Sequence, residues 1–401
     1  MKKIRLNKWK NGAAPALLIH CSIGSVYCWS TFSEALAQKV GVSPGILGWA
    51  FSIAIFFLGM SAAFASRIVE QNVKRSSLIS MIFFCTGFLG TGVISFLGGR
   101  IPAPIAALLI FFFYGAVMGV GLGTGYLTPV KTLMLWFREN KGLATGISIM
   151  GFGLAKAIAS PFMILLQEKF GITAMFFILG AVYACTMYLG HKLIHKPLDW
   201  KESGTNQVSK LALFKDTFFL RTWICFYLNI TCGLALISYE RPILEFAGAG
   251  LALIGMIQVF TALANAGGRI GYASLSDLFS KKMRIYFVVF LTSMAACIIM
   301  ELPIFPVLIG CIILLIVVNA GYGGGFSTLP TILEHHYGME SISTIHGVAL
   351  SAWAFAGLTG NQITAACLRI SEANGYRYMV AVIAVLYIVS MILSLTLIKK
   401  E

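Results

Sequence analysis

Long apolar stretches separated by short polar ones run through the whole chain. Each bilayer-spanning helix needs about 20 mostly apolar residues, and roughly twelve such segments can be placed. The alternation of apolar and polar residues in short strands that is typical of a β-barrel is not seen. The pattern predicts an all-α integral membrane protein whose segments occupy residues 12–34, 46–66, 77–99, 103–127, 143–166, 173–195, 216–239, 251–275, 285–303, 306–331, 343–368 and 377–398.

The composition agrees with a membrane protein. Hydrophobic residues make up 58% of the chain and charged residues 11%, whereas a soluble chain carries about 25% charged residues. The net charge of +15 comes from bases that are dispersed over several loops, so nucleic-acid binding is not expected. The nine cysteines form no CxxC pair and lie mostly in apolar segments. We therefore expect buried apolar thiols, no metal site and no cofactor.

Lysine and arginine are concentrated in alternate loops, and this sets the predicted orientation. Bases are dense in residues 1–10, in the loops after the second, fourth, sixth and eighth segments, and at residues 399–400. By the positive-inside rule both termini lie in the cytoplasm. The expected location is the cell (inner) membrane, with the lipid bilayer as the surrounding partner.

The two halves of the chain repeat each other. Residues 121–129, GLGTGYLTP, are matched about 200 residues later by residues 321–330, GYGGGFSTLP. The longest polar stretch lies between the halves. We therefore predict an N-terminal six-helix half at 1–196, a cytoplasmic linker at 197–214 and a C-terminal six-helix half at 215–401. Such duplication is typical of transporters, because two repeats can rock about a site held between them.

The matched stretches predict helices that can bend. Glycines thin the fourth and tenth helices and prolines can kink them, so these helices can open and close a gate. Close packing of helices is the alternative reason for the small residues. The candidate gating residues of this kind are Gly123, Gly125, Pro129, Gly323, Gly325 and Pro330.

An acid followed by two bases recurs in the loops after the second and eighth segments. We expect these side chains to form ion pairs with helix ends and to hold the cytoplasmic side of each half closed. A purely topological role of the charges is the alternative. The residues are Glu70, Lys74 and Arg75 in the first half, and Asp277 and Lys281 in the second.

Two cations lie inside predicted spans. Charge at bilayer depth costs several kcal/mol and therefore faces a cavity or a partner. Lys156 lies in the fifth segment and Arg269 in the eighth, whereas no Asp or Glu occupies the middle of a segment. Helical side chains lean toward their own N-terminus, so the two cationic heads are expected to converge and attract an anion. The alternative for Arg269 is a clamp on Asp277 or on loop carbonyls. The alternative for Lys156 is snorkelling or bonding to a helix carbonyl.

The remaining polar residues indicate no catalytic chemistry. The chain contains no HExxH, GxxxxGK[ST] or GxSxG motif, so we do not expect an enzyme. Lys131, near the end of the fourth segment, is expected to snorkel to the interface. His20 in the first segment is expected to be a hydrogen-bonded packing residue, with a proton relay as the alternative.

The twelve-segment, two-half plan resembles the major facilitator superfamily, and in detail its oxalate/formate antiporter family, a neighbour of the monocarboxylate transporters. The matching motifs are GSVYCWS at 24–30, GTGYLTP at 123–129, GFG at 151–153, GR at 268–269 and YGGGFSTLP at 322–330. The resemblance implies that the solute is a small carboxylate and that Arg269 contacts it. It also implies that aromatic side chains close around the solute, at Tyr27, Tyr126, Tyr322 and Phe326.

Two positions depart from the pattern of that family. The oxalate carriers have a lysine in the eleventh helix six residues after a glycine, whereas here Gly347 is followed by Trp353. This argues against dicarboxylate binding in the oxalate manner. Proton-coupled monocarboxylate transporters carry an aspartate four residues before their arginine. Here that residue is Asn265, which cannot titrate.

The sequence thus predicts a secondary active transporter of small organic anions, monocarboxylates such as lactate, formate or pyruvate, that works by alternating access. An oxalate/dicarboxylate–formate exchanger that uses Lys156 and Arg269 together is the alternative. A non-transporting membrane sensor is a rival from another class, but it would need a soluble output domain. Coupling stays open between protons and a counter-transported anion: Lys156 either gains a proton with the anion or stays charged as a second anchor.

Overall fold

The computed structural model describes residues 6–200, 209–304 and 306–399. Every regular element in these ranges is a helix, because backbone polar groups in lipid must be satisfied within their own segment. Eleven helices of the described residues are long and apolar enough to cross a membrane. One of them, Lys141–Leu193, contains two spans, since Gly171 interrupts it with φ 80° and ψ 165°. Glycine adopts this conformation without strain.

Twelve spans result among the described residues. The first six are α1 (Trp9–Val40), α2 (Pro44–Gln71), α3 (Val73–Phe96), α4 (Ala103–Trp136), α5 (141–170) and α6 (172–193). The second six are α7 (Thr217–Ile237), α8 (Ala252–Leu278), α9 (Arg284–Glu301), α10 (Val307–Tyr337), α11 (Ile342–Ile370) and α12 (Gly375–Ile398). Each predicted segment overlaps one of these helices in order, so the predicted all-α membrane fold is confirmed. Within the predicted linker, residues 201–208 lie outside the described ranges.

The helices form two compact units. The first unit comprises Met1–Glu139, Ile147–Asn206 and Ser343–Ala354, and the second comprises Asn140–Gly146, Gln207–Ile342 and Phe355–Glu401. The first turns of α11 therefore belong to the first unit, and the first turns of α5 belong to the second. The predicted halves are continuous stretches of sequence, whereas the two units are defined by the contacts between residues. The two descriptions therefore assign these two short segments differently.

The glycine-rich stretches of α4 and α10 pack in the same way within their own units. A Cβ atom at Gly123 would lie 2.1 Å from the carbonyl oxygen of Leu58 in α2. A Cβ atom at Gly323 would lie 2.2 Å from the carbonyl oxygen of Asn265 in α8. Any larger residue would force these helices apart, so close packing is one reason for the repeated glycines.

A second glycine and a proline also occupy matching positions in α4 and α10. A Cβ atom at Gly125 or at Gly325 would meet a polar side-chain atom of a neighbouring helix, at 2.2 and 2.1 Å respectively. Pro129 and Pro330 lie inside α4 and α10, which continue as helices through them. Their part in gating stays a prediction.

Candidate functional site

A fully buried arginine lies in α8 of the second unit. Arg269 is 0% exposed, and its Nε donates a hydrogen bond to Oδ1 of Asn265 at 2.9 Å. Its guanidinium carbon lies 5.3 Å from the ring centroid of Phe326 in α10. The ring face stabilises the cation without neutralising it. The helix therefore carries a permanently charged, planar donor of the kind that binds carboxylates.

Aromatic side chains of α10 line the same part of the second unit. Tyr322 and Phe326 are almost completely buried, and their ring centroids are 5.1 Å apart. Because the two residues occupy successive turns of one helix, they present a continuous aromatic surface. Phe326 is the ring that contacts the guanidinium of Arg269.

Three other predicted residues meet in the first unit. Trp353 lies 5.5 Å from Tyr126 and 5.8 Å from Phe152, measured between ring centroids. Tyr27 packs against Phe152 at 5.3 Å. We refer to Tyr27, Tyr126, Phe152 and Trp353 as the aromatic cluster. The sequence pointed to three of its members, whereas Phe152 was noted only as part of a glycine-flanked motif.

Lys156 lies one turn beyond Phe152 on α5, and its side chain is half-buried. It is thus close in sequence to the aromatic cluster, on the same helix. Arg269 belongs to the other unit. The expected convergence of the two cationic heads stays a prediction.

Two histidines flank Tyr126. His20 is 0% exposed and its ring lies 5.4 Å from that of Tyr126. Its ring nitrogens contact the carbonyl oxygens of Ser148 and Tyr126, so the expected hydrogen bonding of His20 is found. His346 in α11 is also buried and lies 6.1 Å from the Tyr126 ring. No pattern in the sequence pointed to His346 apart from its place before Gly347.

A buried glutamate holds the start of α11 in the first unit. Glu70 accepts hydrogen bonds from the backbone N–H groups of Ser343, at 2.7 Å, and Thr344, at 3.3 Å. It also forms an ion pair with Lys131. These contacts are called the Glu70 cap. The prediction that Lys131 snorkels was wrong, because its partner lies 61 positions earlier in the sequence, on a neighbouring helix.

An aspartate holds the start of α5 in the second unit by the same means. Oδ1 of Asp277 accepts from the N–H of Gly142 at 2.9 Å, and Oδ2 accepts from that of Leu143 at 3.0 Å. These contacts are called the Asp277 cap. Both caps fill the second and third N–H positions of a helix, where the helix dipole favours an anion.

The first bases of both loops bind helix C-termini. Nζ of Lys74 donates to two carbonyl oxygens in the last turn of α6, at 3.0 and 2.6 Å. Nζ of Lys281 donates to the carbonyl oxygen of Ile398 at the end of α12, at 2.7 Å. Cations are favourable at this end of a helix dipole. Arg75, by contrast, is exposed.

The chain is similar to proteins of a known family. The family model described as Major Facilitator Superfamily matches residues 16–361. The uncharacterized MFS-type transporter YhjX of Escherichia coli (strain K12) is 25% identical over 342 residues, 83% of this chain and 81% of that protein. The oxalate:formate antiporter of Oxalobacter formigenes is 23% identical over 373 residues, 88% of this chain and 83% of that protein.

A solved structure shows the same fold. The proton:xylose symporter XylE, bound to 6-bromo-6-deoxy-D-glucose, superimposes with a TM-score of 0.72 at 12% sequence identity. The match covers 95% of this chain and 94% of that one. At this identity the likeness concerns the fold alone.

The Glu70–Lys131 pair should be strongly coupled. Replacement of Lys131 by Met leaves a buried carboxylate without its cation, and we expect it to destabilise the purified protein by about 3 kcal/mol or more. The double variant Glu70→Gln/Lys131→Met should recover part of this loss. Thermal unfolding in detergent measures both effects.

The matched control is Glu245→Gln. This substitution breaks the pair of Glu245 with Arg241, whose side chains are 45% and 58% exposed, and should cost less than about 1 kcal/mol. A Lys131→Met protein as stable as the Glu245→Gln protein would show that the buried pair is not a structural requirement.

Proposed function

The chain belongs to the Major Facilitator Superfamily and is a multi-pass membrane transporter of small molecules, and we propose that its substrate is a small organic anion. Monocarboxylates of the size of lactate, formate or pyruvate fit best. The protein is a secondary active transporter that works by alternating access. The observation that carries the proposal is the fully buried guanidinium of Arg269.

A buried fixed cation selects for an anionic substrate. Removing a guanidinium from water is costly, and a bound carboxylate compensates for that cost with two parallel hydrogen bonds. The Nε of Arg269 is held by Asn265, and the guanidinium carbon lies over the ring of Phe326. These contacts limit the rotation of the guanidinium. The similarity to an oxalate:formate antiporter supports a carboxylate as the anion.

The aromatic cluster favours one carboxylate and an apolar remainder. Trp353 is completely buried against Tyr126 and Phe152, at the position where the oxalate carriers that this chain resembles place a lysine. An indole ring offers apolar surface and no positive charge for a second carboxylate. A dicarboxylate exchanger remains the second candidate, because Lys156 supplies another cation on α5.

The two caps support a role in alternating access. Each cap binds the first turns of a helix whose remainder belongs to the other unit. We propose that release of these N–H groups accompanies a change in access. The repeated glycines and prolines of α4 and α10 would supply the bend. By the distribution of bases, the capped ends lie in the cytoplasm together with both termini, in the cell membrane.

Arg269 should be the main anchor of the anion. We expect Arg269→Lys and Arg269→Gln to fold and insert but to lose uptake by about 100-fold or more, because neither substitution keeps the planar fork. Uptake of labelled lactate and pyruvate into proteoliposomes measures this. The control is Arg377→Gln, at an exposed arginine of α12. Normal uptake by the Arg269→Gln variant would remove the basis of the proposal.

Trp353 should set the preference for monocarboxylates. In a thermal-shift and competition panel, we expect lactate or pyruvate to displace labelled substrate at lower concentration than oxalate. The physical reason is that the ring provides no charge for a second carboxylate. Trp353→Phe should keep this order, since it keeps an apolar ring. Oxalate as the tightest ligand would instead favour the dicarboxylate exchanger.

Lys156 should act as a second anchor. Lys156→Arg keeps the positive charge and should keep anion binding, whereas Lys156→Gln should weaken the affinity for lactate by about tenfold. Thermal shift as a function of ligand concentration compares them. If Lys156→Gln binds lactate and oxalate as the unaltered protein does, Lys156 is a packing residue.

A further inference from the structure

His20 is enclosed within the first unit. It lies on α1 with no exposed surface, and the rings of Tyr126 and Phe152 lie 5.4 and 6.1 Å from its own. A buried imidazole that lacks hydrogen bonds is costly. The protonation state of His20 therefore depends on the hydrogen-bond partners of its two ring nitrogens.

Both ring nitrogens of His20 face backbone carbonyl oxygens. Nε2 lies 3.1 Å from the oxygen of Tyr126, and Nδ1 contacts the oxygen of Ser148. A carbonyl oxygen only accepts, and a neutral imidazole has a single N–H. Both contacts are thus hydrogen bonds at the same time only when the ring is a protonated imidazolium.

Ser148 also supplies a partner for the neutral ring. Its Oγ lies 3.4 Å from Nδ1 of His20, and a hydroxyl group can donate. When the proton leaves, Nδ1 accepts from this hydroxyl while Nε2–H still donates to the oxygen of Tyr126. His20 can therefore gain and lose a proton without leaving a buried polar atom unpaired in either state.

We propose that His20 is the proton-binding site that couples anion transport to protons. This inference rests on the proposed function. Tyr126 connects the two, because its ring belongs to the aromatic cluster and its carbonyl oxygen binds His20. An anion held by Lys156, one turn from Phe152 of the cluster, would attract the imidazolium, and each of the two would raise the affinity for the other. One proton then moves with one monocarboxylate, and no net charge is transported.

Other ionisable side chains lie on the helices of the first unit. They include Cys21 on α1, Tyr126 and Lys131 on α4, Glu70 on α2, Lys156 on α5 and His346 on α11. Lys131 is already paired with Glu70. The helices of Lys156 and His346 also carry Phe152 and Trp353 of the aromatic cluster.

The test uses the full chain in proteoliposomes that contain a pH-sensitive dye. External L-lactate should acidify the lumen faster than in protein-free liposomes. His20→Gln should slow this acidification by about tenfold, while exchange of labelled lactate at equal pH on both sides stays within about threefold of the unaltered protein. His335→Gln, at an exposed histidine of α10, is the matched control and should behave as the unaltered protein.

The assays separate the two proposals. Lactate exchange without any acidification by the unaltered protein would overturn the proton site and leave the anion carrier intact. Acidification that survives in His20→Gln but is lost in Lys156→Arg would assign the proton to Lys156 and overturn the inference. Absence of binding and exchange for every carboxylate in the panel would overturn the proposed function itself.

Nitrogen NMR of ¹⁵N-histidine-labelled protein tests His20 directly, with or without transport. With lactate, the signal missing from His20→Gln should show a protonated ring when the pH is lowered from about 8 to 5. Ser148→Ala removes the hydroxyl partner of the neutral ring and should increase the protonated fraction. A His20 signal that stays neutral over this range with and without lactate would exclude the site.

Discussion

A guanidinium buried in a membrane helix is the constraint around which the second unit is arranged. Arg269 needs neighbours that approach closely without adding bulk, and glycines of two helices provide this. A Cβ atom at Gly323 would lie 3.0 Å from Cγ of Arg269, and one at Gly146 would lie 2.9 Å from its carbonyl oxygen. The room for the charge therefore comes from the residues that permit close helix packing.

The same helix joins the charge to the Asp277 cap. Arg269 and Asp277 lie about two turns apart on α8, and the first turns of α5 pack beside both of them through Gly142 and Gly146. In the proposed cycle, a shift of α8 upon anion binding would be transmitted along a rigid helix to the capped N–H groups. In that cycle, the capped helix ends would connect binding to access.

The helices and their order follow from the sequence because lipid leaves a chain few other structures. The charge of Arg269 could also be recognised from the sequence, because it lies inside an apolar membrane segment. Contacts between distant positions were not: the expected snorkelling of Lys131 failed since Glu70 lies on another helix. Phe152 and His346 look like ordinary residues of apolar segments, and only the packing of α4, α5 and α11 shows their neighbours.

The repeat in sequence identified both acids of the caps, but not which helix ends they bind. Helix-end N–H groups have no signature of their own at Ser343 or Gly142, so the partners emerge only in three dimensions. The second bases also differ between the repeats. Arg75 is exposed, whereas Lys282 donates to the carbonyl oxygen of Ser276 at 2.8 Å.

The two caps differ in their access to water, and this makes them unequal toward dissolved salt. Glu70 is 5% exposed and paired with a buried lysine, whereas Asp277 is half-buried. Mobile ions screen charges that they can approach and hardly affect those that they cannot. Rising ionic strength would therefore loosen the hold of Asp277 on α5 before that of Glu70 on α11, so that the two caps respond to the same medium one after the other.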